Sequence, residues 1–236
     1  MTSLTGSSIL VCGASGVLGG EIARLLSAAG ARLVLTGRDR DQLEALELPG
    51  ITLPADLSDP STPDTLVQRT LEAYGTLDGI VNASGVVAFG AASAVSEDTL
   101  ETLFAVNTLA PMRLLRAAIA PLTASAEAGR EPFILTLSGV VSEVPTANMA
   151  AYSASKAGLA AWTKATGREL RRAGVRVLDA RPGHTETGLV SRALEGTAPK
   201  LAPGLDPVFV ARRIVAAIVG GERDLPSAAF TEPSAG

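Results

Sequence analysis

A tyrosine and a lysine stand four residues apart in the run Tyr152-Ser153-Ala154-Ser155-Lys156. On a helix, residues with this spacing lie on one face, so the phenol and the ammonium would be neighbours. A free phenol has a pKa near ~10 and needs a nearby cation to favour its ionised form. Two unit charges about 4 Å apart interact by about 4 kcal/mol at an effective dielectric of 20, roughly three pKa units. The pair therefore predicts acid-base chemistry by a tyrosine that titrates near neutrality.

A second motif has the composition of a phosphate-binding turn. The run Gly13–Gly19 follows the short apolar segment 9–12 and precedes an amphipathic stretch. Glycines let a chain turn tightly and let the amides at a helix N-terminus approach a pyrophosphate. A glycine pattern alone also fits an ordinary turn. The residues predicted to form the cofactor turn are Gly13, Ser15, Val17, Leu18 and Gly19.

Together the two motifs resemble those of the short-chain dehydrogenase/reductase family, which are Gly-x-x-x-Gly-x-Gly and Tyr-x-x-x-Lys. Further matches follow in the family's order over nearly the whole chain: Asp56-Leu57, Asn82-Ala83-Ser84-Gly85, Asn107, the segment around Ser138, and Pro182-Gly183 followed by Thr187. The resemblance implies an α/β fold with a doubly wound, mainly parallel sheet. It also implies a nicotinamide cofactor, a carbonyl or alcohol substrate, and a homodimer or homotetramer.

The resemblance assigns roles to individual residues. Tyr152 would exchange a proton with the substrate oxygen, while Lys156 would activate it and hold the nicotinamide ribose. Asn107 would anchor a water between the lysine and solvent, although an asparagine ahead of Pro111 also fits a kinked helix backbone. The other cofactor contacts that the family implies are Asp56, Leu57, Asn82, Ser84, Gly85, Pro182, Gly183, Thr185 and Thr187.

The sequence departs from the family at the catalytic serine. An ungapped count from Tyr152 places Gly139 at that position, with Ser138 one residue earlier. A bulge after Gly139 would let Ser138 supply the hydroxyl, and we favour this reading. Without any such donor a reaction typically slows by ~10²–10³. The alternative function is an NADP(H)-binding regulatory or assembly protein with little or no catalysis.

The choice between NADP(H) and NAD(H) depends on the end of the second predicted strand. An acidic side chain there would accept hydrogen bonds from the ribose 2′-hydroxyl, whereas an arginine would pair with a 2′-phosphate. Gly37 occupies the family's acidic position and Arg38 follows it, which favours NADP(H). A small shift of register would bring the Asp39 carboxylate to the ribose instead.

These residues must be positioned by alternating strands and helices, which indicates βαβ units in one domain over 1–236. Strands are predicted near 8–12, 32–36, 51–53, 77–82, 133–138 and 175–180, with a last edge strand within 222–226. Helix starts with capping side chains are predicted at Thr62-Pro63, Ser96-Glu97-Asp98 and Asp206-Pro207. The segment 185–203 is predicted to be a short substrate loop or a plain connector, with His184 at its start as a pocket-wall or cofactor-loop residue.

Composition narrows the partners. The formal net charge is −4 and the pI is near 5.1, which argues against nucleic acid. The cluster Arg168, Arg171, Arg172 and Arg176 is interpreted as a solvated helix end. The single cysteine, Cys12, is predicted to be buried in the first strand. We find neither an apolar run of the ~20 residues that a membrane helix needs nor a metal motif, so a cytoplasmic protein is expected.

Overall fold

Seven parallel strands make one sheet in the computed structural model, which describes residues 2–231. The strands are β1 (Ser8–Cys12), β2 (Arg32–Gly37), β3 (Ile51–Pro54), β4 (Gly79–Asn82), β5 (Phe133–Leu137), β6 (Arg176–Ala180) and β7 (Asp224–Leu225). The helices are α1 (Val17–Ala28), α2 (Arg40–Glu44), α3 (Thr62–Tyr74), α4 (Glu97–Phe104), α5 (Ala110–Glu127), α6 (Ala150–Glu169) and α7 (Pro207–Gly220). The strand order is β3-β2-β1-β4-β5-β6-β7, which confirms the doubly wound parallel fold.

Both faces of the sheet are covered, as a parallel sheet requires. Along β1, Ile9 and Val11 pack in the core beneath α1 and α7, whereas Leu10 and Cys12 pack with α3 and α5 on the opposite face. This alternation follows from the two-residue period of a strand. Aromatic residues are only 3% of the chain, so the core consists mainly of Ala, Val, Leu and Ile.

Two of the three predicted helix caps are confirmed. The Ser96 side chain accepts from Thr99 N, and Asp206 accepts from the backbone amides of Val208 and Phe209. The third is wrong, because Thr62 is already the first residue of α3 and Ser61 at its N-cap makes no side-chain cap hydrogen bond. Pro63 still lies in the first turn, where its missing N–H costs nothing.

One helical stretch corrects the expectation about apolar runs. Residues Glu97–Glu127 form 31 residues of continuous helix that is long and apolar enough, by length and composition, to cross a membrane. It comprises α4, a π-helical segment at Ala105–Leu109, and α5. Of its most apolar window, 44% is buried inside the protein, and core helices of soluble proteins also pass this test.

Arg176 is not part of a solvated helix end, contrary to the interpretation above. It lies buried on β6, where its guanidinium donates to the carbonyls of Ile218 and Glu222 at 2.7 and 2.9 Å. These carbonyls lie at and just beyond the C-terminal end of α7, where a cation suits the helix dipole. Arg168, Arg171 and Arg172 are exposed as predicted.

Burial of Cys12 predicts a loss of stability in alkali. Burial raises the pKa of the Cys12 thiol from its usual value of 9.0 to about 12. The unfolded thiol ionises above pH 9 while the folded one keeps its proton, so stability falls as pH rises from 9 toward 12. We expect Cys12→Ala to flatten this fall by up to about 1.4 kcal/mol per pH unit. Urea unfolding measured between pH 8 and 11 checks it, and equal slopes for both proteins would contradict it.

Candidate active site

The loops that follow β1 and β4 meet at the point where the strand order reverses. β1 pairs with β2 on one side and with β4 on the other, and crevices at such points are ligand sites in α/β folds. Gly13 has φ +77°, and a Cβ built on it would lie only 2.7 Å from Ser84 N. Glycine is therefore required at this position both for the turn and for the close approach of the two loops.

The glycine turn presents a helix N-terminus to this crevice. Backbone amides of Gly13 and Ala14 both donate to Thr36 O, at 2.9 and 3.0 Å, which fixes the turn against β2. α1 then begins at Val17, and Gly16 at its N-cap offers no side chain to the first-turn amides. A Cβ at Gly19 would overlap the carbonyl of Gly13, so the helix starts as close to the turn as the backbone allows. Such a start suits an anion.

The end of β2 brings Ser15 and Gly37 together. A Cβ on Gly37 would overlap the Ser15 hydroxyl, so Ser15 fills the space where a side chain at that position would begin. Arg38 follows with an exposed side chain. The Asp39 carboxylate caps α2 by accepting from Gln42 N at 3.1 Å. This cap directs Asp39 toward α2, whereas the Arg38 side chain makes no hydrogen bond or ion pair within residues 2–231.

Asp56 and Leu57, the two cofactor contacts predicted just after β3, lie in different environments in the structure. Asp56 is exposed and its carboxylate accepts from Ser58 N at 2.9 Å, in a local turn. Leu57 is buried in the core that β1, β2, α3 and α5 share. The Leu57 side chain is therefore a packing residue, and only Asp56 offers a side chain at the sheet edge.

The loop after β4 links the glycine turn to the catalytic pair. Asn82, the buried last residue of β4, accepts from the Ser84 hydroxyl at 2.6 Å. Gly85 lies over Lys156, because a Cβ built on it would be 3.2 Å from Lys156 Nζ and 3.3 Å from Asn107 Oδ1. The structure therefore gathers Gly85, Asn107 and Lys156 at one place, as the sequence predicted.

Tyr152 lies in the first turn of α6, with its ring against a small apolar cluster of Val86, Ala88 and Leu103. Burial raises the pKa of Tyr152 to about 12. The expectation that this phenol titrates near neutrality is therefore wrong for this structure, because burial disfavours the ionised phenol.

Lys156 is fully within the protein and its ammonium donates to Leu137 O, at the end of β5, at 2.8 Å. Burial lowers the pKa of Lys156 to about 8, and the Asp179 carboxylate opposes that shift. The lysine is held between α6 and the sheet edge by this carbonyl. The Lys156 ammonium therefore lies against the end of β5.

Asn107 has a structural role that is visible in its hydrogen bonds. Its amide clamps the backbone of Val86, with Oδ1 accepting from Val86 N at 3.0 Å and Nδ2 donating to Val86 O at 2.9 Å. It lies within the π-helical segment, and its Nδ2 also contacts Ser155 Oγ on α6 at 3.0 Å. Asn107 thus lies beside Lys156, as a water anchor would, and inside an irregular helix turn, as a residue that supports a kinked backbone would. Its position is compatible with both predictions.

Ser138 does not offer the free hydroxyl that the bulge hypothesis required. It is buried, and its Oγ donates to Asp179 Oδ2 at 2.6 Å. A hydroxyl has one proton to donate, so this short bond to a carboxylate withdraws it from any substrate. Gly139 has φ +73° and starts a 3-10 turn at Val140–Ser142, and the Ser142 hydroxyl reaches both Gly139 O and Ser138 Oγ, at 2.7 and 3.1 Å.

The segment after β6 closes one side of the site. Pro182 O accepts from Val140 N at 2.9 Å, and Thr185 Oγ1 donates to Gly183 O at 3.0 Å. Thr187 continues this turn with its amide on Thr185 O. His184 is partly exposed, and its Nε2 lies 3.5 Å from the Glu186 carboxylate on the same loop.

The predicted substrate loop is docked on the segment that follows β4. Leu194 N donates to Val87 O at 2.8 Å, and Phe89 N donates to Glu195 O at 2.9 Å. The Glu195 side chain accepts from the Ser96 amide and hydroxyl, at 3.1 and 2.7 Å. Sequence reasoning missed Glu195, because only the fold brings this loop to the start of α4.

Asp179 was also missed, although the sequence contained a signal for it. It is a charged residue in the middle of the buried strand Arg176–Ala180. A carboxylate in such a position needs hydrogen-bond partners, and its partners here are Thr136, Ser138 and Arg181.

Comparison with known proteins decides the family. The short chain dehydrogenase family matches over residues 7–197, which include the glycine turn and the Tyr152–Lys156 pair. The chain belongs to the short-chain dehydrogenase family. One relative is the ketoacyl reductase HetN of Nostoc, 33% identical over 225 residues, covering 92% of this chain and 77% of the relative. Another, from Anopheles gambiae, is a dehydrogenase/reductase SDR family protein 7-like, 32% identical over 241 residues, covering 94% and 75%.

Solved structures of this short-chain dehydrogenase fold superimpose closely. A 3-ketoacyl-(acyl-carrier-protein) reductase from Brucella melitensis complexed with NADH has a TM-score of 0.86 at 23% identity, covering 97% of this chain and all of that one. A short-chain dehydrogenase from Sphingobium yanoikuyae in complex with NADPH has a TM-score of 0.82 at 23% identity, covering 93% and 87%. At this level of identity the likeness supports the fold.

Proposed function

We propose that the protein is an NADP(H)-dependent oxidoreductase that interconverts a small-molecule carbonyl and its alcohol. The observation that carries this proposal is the placement of Tyr152 and Lys156 on α6, with Lys156 directly beside Gly85 and the loop that contacts the glycine turn. A proton-transfer pair and a phosphate-binding turn thus border one crevice. Family membership supports oxidoreductase chemistry.

The residues around the crevice fit a dinucleotide. The spaces that a Cβ would fill at Gly13 and Gly19 let the backbone approach a pyrophosphate at the start of α1. The side chains that we propose to hold the rest are Ser15, Arg38, Asp56, Ser84, Lys156 and Thr187. When bound, the nicotinamide supplies or accepts the hydride.

Tyr152 moves the proton in this proposal. With its pKa raised to about 12, the phenol is protonated at neutral pH, which is the form that a general acid needs to protonate a carbonyl oxygen. Lys156 then stabilises the phenolate left behind, through its positive charge one helical turn away. In alcohol oxidation the same two groups act in reverse.

Arg38 predicts a preference for NADP(H). A guanidinium binds a phosphate through two parallel hydrogen bonds, and the neighbouring Asp39 carboxylate is engaged by α2. We expect Arg38→Ala to weaken NADPH binding by about 10-fold or more, or about 1.4 kcal/mol, and to change NADH binding little. Fluorescence titration of the reduced cofactors measures both constants.

Arg40→Ala is the matched control, because Arg40 is an exposed arginine two residues away whose guanidinium pairs with Glu44. It should leave the ratio of the two constants unchanged. Equal losses of NADPH and NADH affinity in Arg38→Ala would remove the proposed contact with the 2′-phosphate.

Isotope transfer tests the oxidoreductase proposal. Wild-type protein is incubated with NADPH carrying two deuterium atoms at C4 and with ketones, aldehydes and 3-ketoacyl thioesters. The proposal predicts a product with one deuterium on the new alcohol carbon. Consumption of NADPH without deuterium in any organic product would contradict it.

Gly139 and the engaged Ser138 hydroxyl favour a second candidate, an NADP(H)-responsive regulatory or assembly protein with little catalysis. It predicts tight NADPH binding, no turnover of any carbonyl, and a partner protein recovered only when NADPH is present.

Assembly into a homodimer or homotetramer and a cytoplasmic location stay predictions from the sequence.

A further inference from the structure

Asp179 is a buried carboxylate beneath α6 that the proton transfer proposed above does not use. Its side chain accepts four hydrogen bonds: from Thr136 Oγ1 at 3.0 Å, Ser138 N at 3.3 Å, Ser138 Oγ at 2.6 Å and Arg181 Nη1 at 3.0 Å. Four donors fill the acceptor capacity of an ionised carboxylate. The structure thus holds a fixed negative charge at the end of β5.

Two contacts place this charge under the catalytic helix. Thr136 Oγ1, which donates to Asp179, is 3.2 Å from Thr163 Oγ1 on α6. Lys156 precedes Thr163 by about two helical turns on the same face of α6. Ser138, the residue after β5, lies two residues beyond Thr136, and its hydroxyl donates to the same carboxylate as the Thr136 hydroxyl. Asp179 therefore lies on the sheet face that α6 covers, extending toward Lys156.

Arg181 does not cancel the charge of Asp179. Its guanidinium is shared among Asp179, Glu143 and Asp224, so three carboxylates surround one cation. Around Lys156 lie the uncharged carbonyl of Leu137, Gly85 and the Asn107 amide, with Tyr152 one turn away on the same helix. Lys156 therefore faces excess negative charge from β6.

We propose that Asp179 is a positioning residue that keeps Lys156 cationic and holds the Ser138 hydroxyl away from the substrate. This inference rests on the proposed function, since it concerns how the Tyr152–Lys156 pair is kept ready for proton transfer. Burial alone drives Lys156 toward its neutral form, and a neutral amine stabilises a phenolate poorly. Asp179, which takes no part in the proton transfer itself, opposes that tendency through its negative charge.

Direct titration of Lys156 tests the inference without any need for a substrate. The chain has three lysines, and replacing Lys164 and Lys200 by arginine leaves Lys156 as the only one. Both replaced side chains are exposed. NMR of ¹³C-labelled lysine then follows one signal against pH. We expect Asp179→Asn to lower the titration midpoint of Lys156 by at least about one pH unit from its position in the parent protein.

Asp224→Asn is the matched control, because it makes the same chemical change on another partner of Arg181 whose side chain is 67% exposed. Its Lys156 midpoint should stay within about 0.3 pH units of the parent, since exposed charges are screened. An unchanged midpoint in folded Asp179→Asn, or equal shifts in both variants, would overturn the inference.

A second variant keeps the test decisive where Asp179→Asn does not fold. Arg181→Gln removes the cation beside Asp179 and should move the Lys156 midpoint upward; a downward or absent shift would overturn the inference. Where a substrate is available, the alkaline fall in kcat should move with the Lys156 midpoint in each variant. A protein without turnover leaves the titration intact, so failure of the proposed function and failure of this inference are distinguishable.

Discussion

Replacing Tyr152 by phenylalanine is expected to lower turnover by about 10³-fold or more while cofactor binding changes little. General acid catalysis contributes about 10²–10⁴ in rate, and the substitution removes the only proton that the proposed mechanism transfers to the substrate oxygen. The Tyr152 hydroxyl makes no hydrogen bond to another of residues 2–231, and the ring packing against Val86, Ala88 and Leu103 is kept. Steady-state kinetics and NADPH titration separate these two effects.

Tyr74→Phe is the control, because Tyr74 is the other tyrosine of the chain. Its hydroxyl donates to Leu33 O at 3.0 Å, far in sequence from the catalytic helix. Its loss should cost about 1 kcal/mol of unfolding free energy and leave turnover unchanged. Turnover in Tyr152→Phe within a factor of two of wild type would end the assignment of Tyr152 as the acid.

Gly19→Ala is expected to destabilise the protein and to distort the glycine turn at which the cofactor would bind. The new Cβ would overlap the Gly13 carbonyl and lie 2.8 Å from its carbon, and both atoms belong to the backbone. The turn or α1 must therefore move. We expect a loss of about 3 kcal/mol in unfolding free energy, at the upper end of overpacking effects, and at least about 10-fold weaker NADPH binding.

Gly158→Ala distinguishes steric overlap from a general effect of replacing helical glycines. Gly158 lies inside α6, and its Cβ would be 3.5 Å from Thr108 Cγ2, an ordinary contact. Alanine should stabilise that helix by about 0.5–1 kcal/mol. Denaturant unfolding measures both variants, and a Gly19→Ala protein as stable as wild type would show that α1 can shift without cost.

The sequence allowed the fold and the position of the site to be predicted, because both depend on local patterns. Apolar runs placed the first six strands to within two residues, and the spacing of Tyr152 and Lys156 placed both on one helix face. The carboxyl ends of parallel strands share one edge, so Asn82, Ser138 and Pro182 had to follow there.

Contacts between side chains on neighbouring strands could not be predicted in the same way. The register of β5 and β6 pairs Thr136 with Asp179, and this pairing draws the Ser138 hydroxyl onto the carboxylate. The pKa of Tyr152 depends on how deeply the ring is buried, which no spacing in the sequence specifies. Arg176 was misplaced for the same reason, since its partners lie at the end of α7, about forty residues later.

We propose that this short-chain dehydrogenase reduces a carbonyl with NADPH through Tyr152. The most direct measurement is NADPH oxidation by the purified protein across ketones, aldehydes, quinones and 3-ketoacyl thioesters, with Tyr152→Phe as the blank. We expect oxidation that depends on the carbonyl compound and disappears in the blank. Oxidation that persists in the blank, or NADPH binding with no oxidation on the whole panel, would contradict the claim and favour the regulatory alternative.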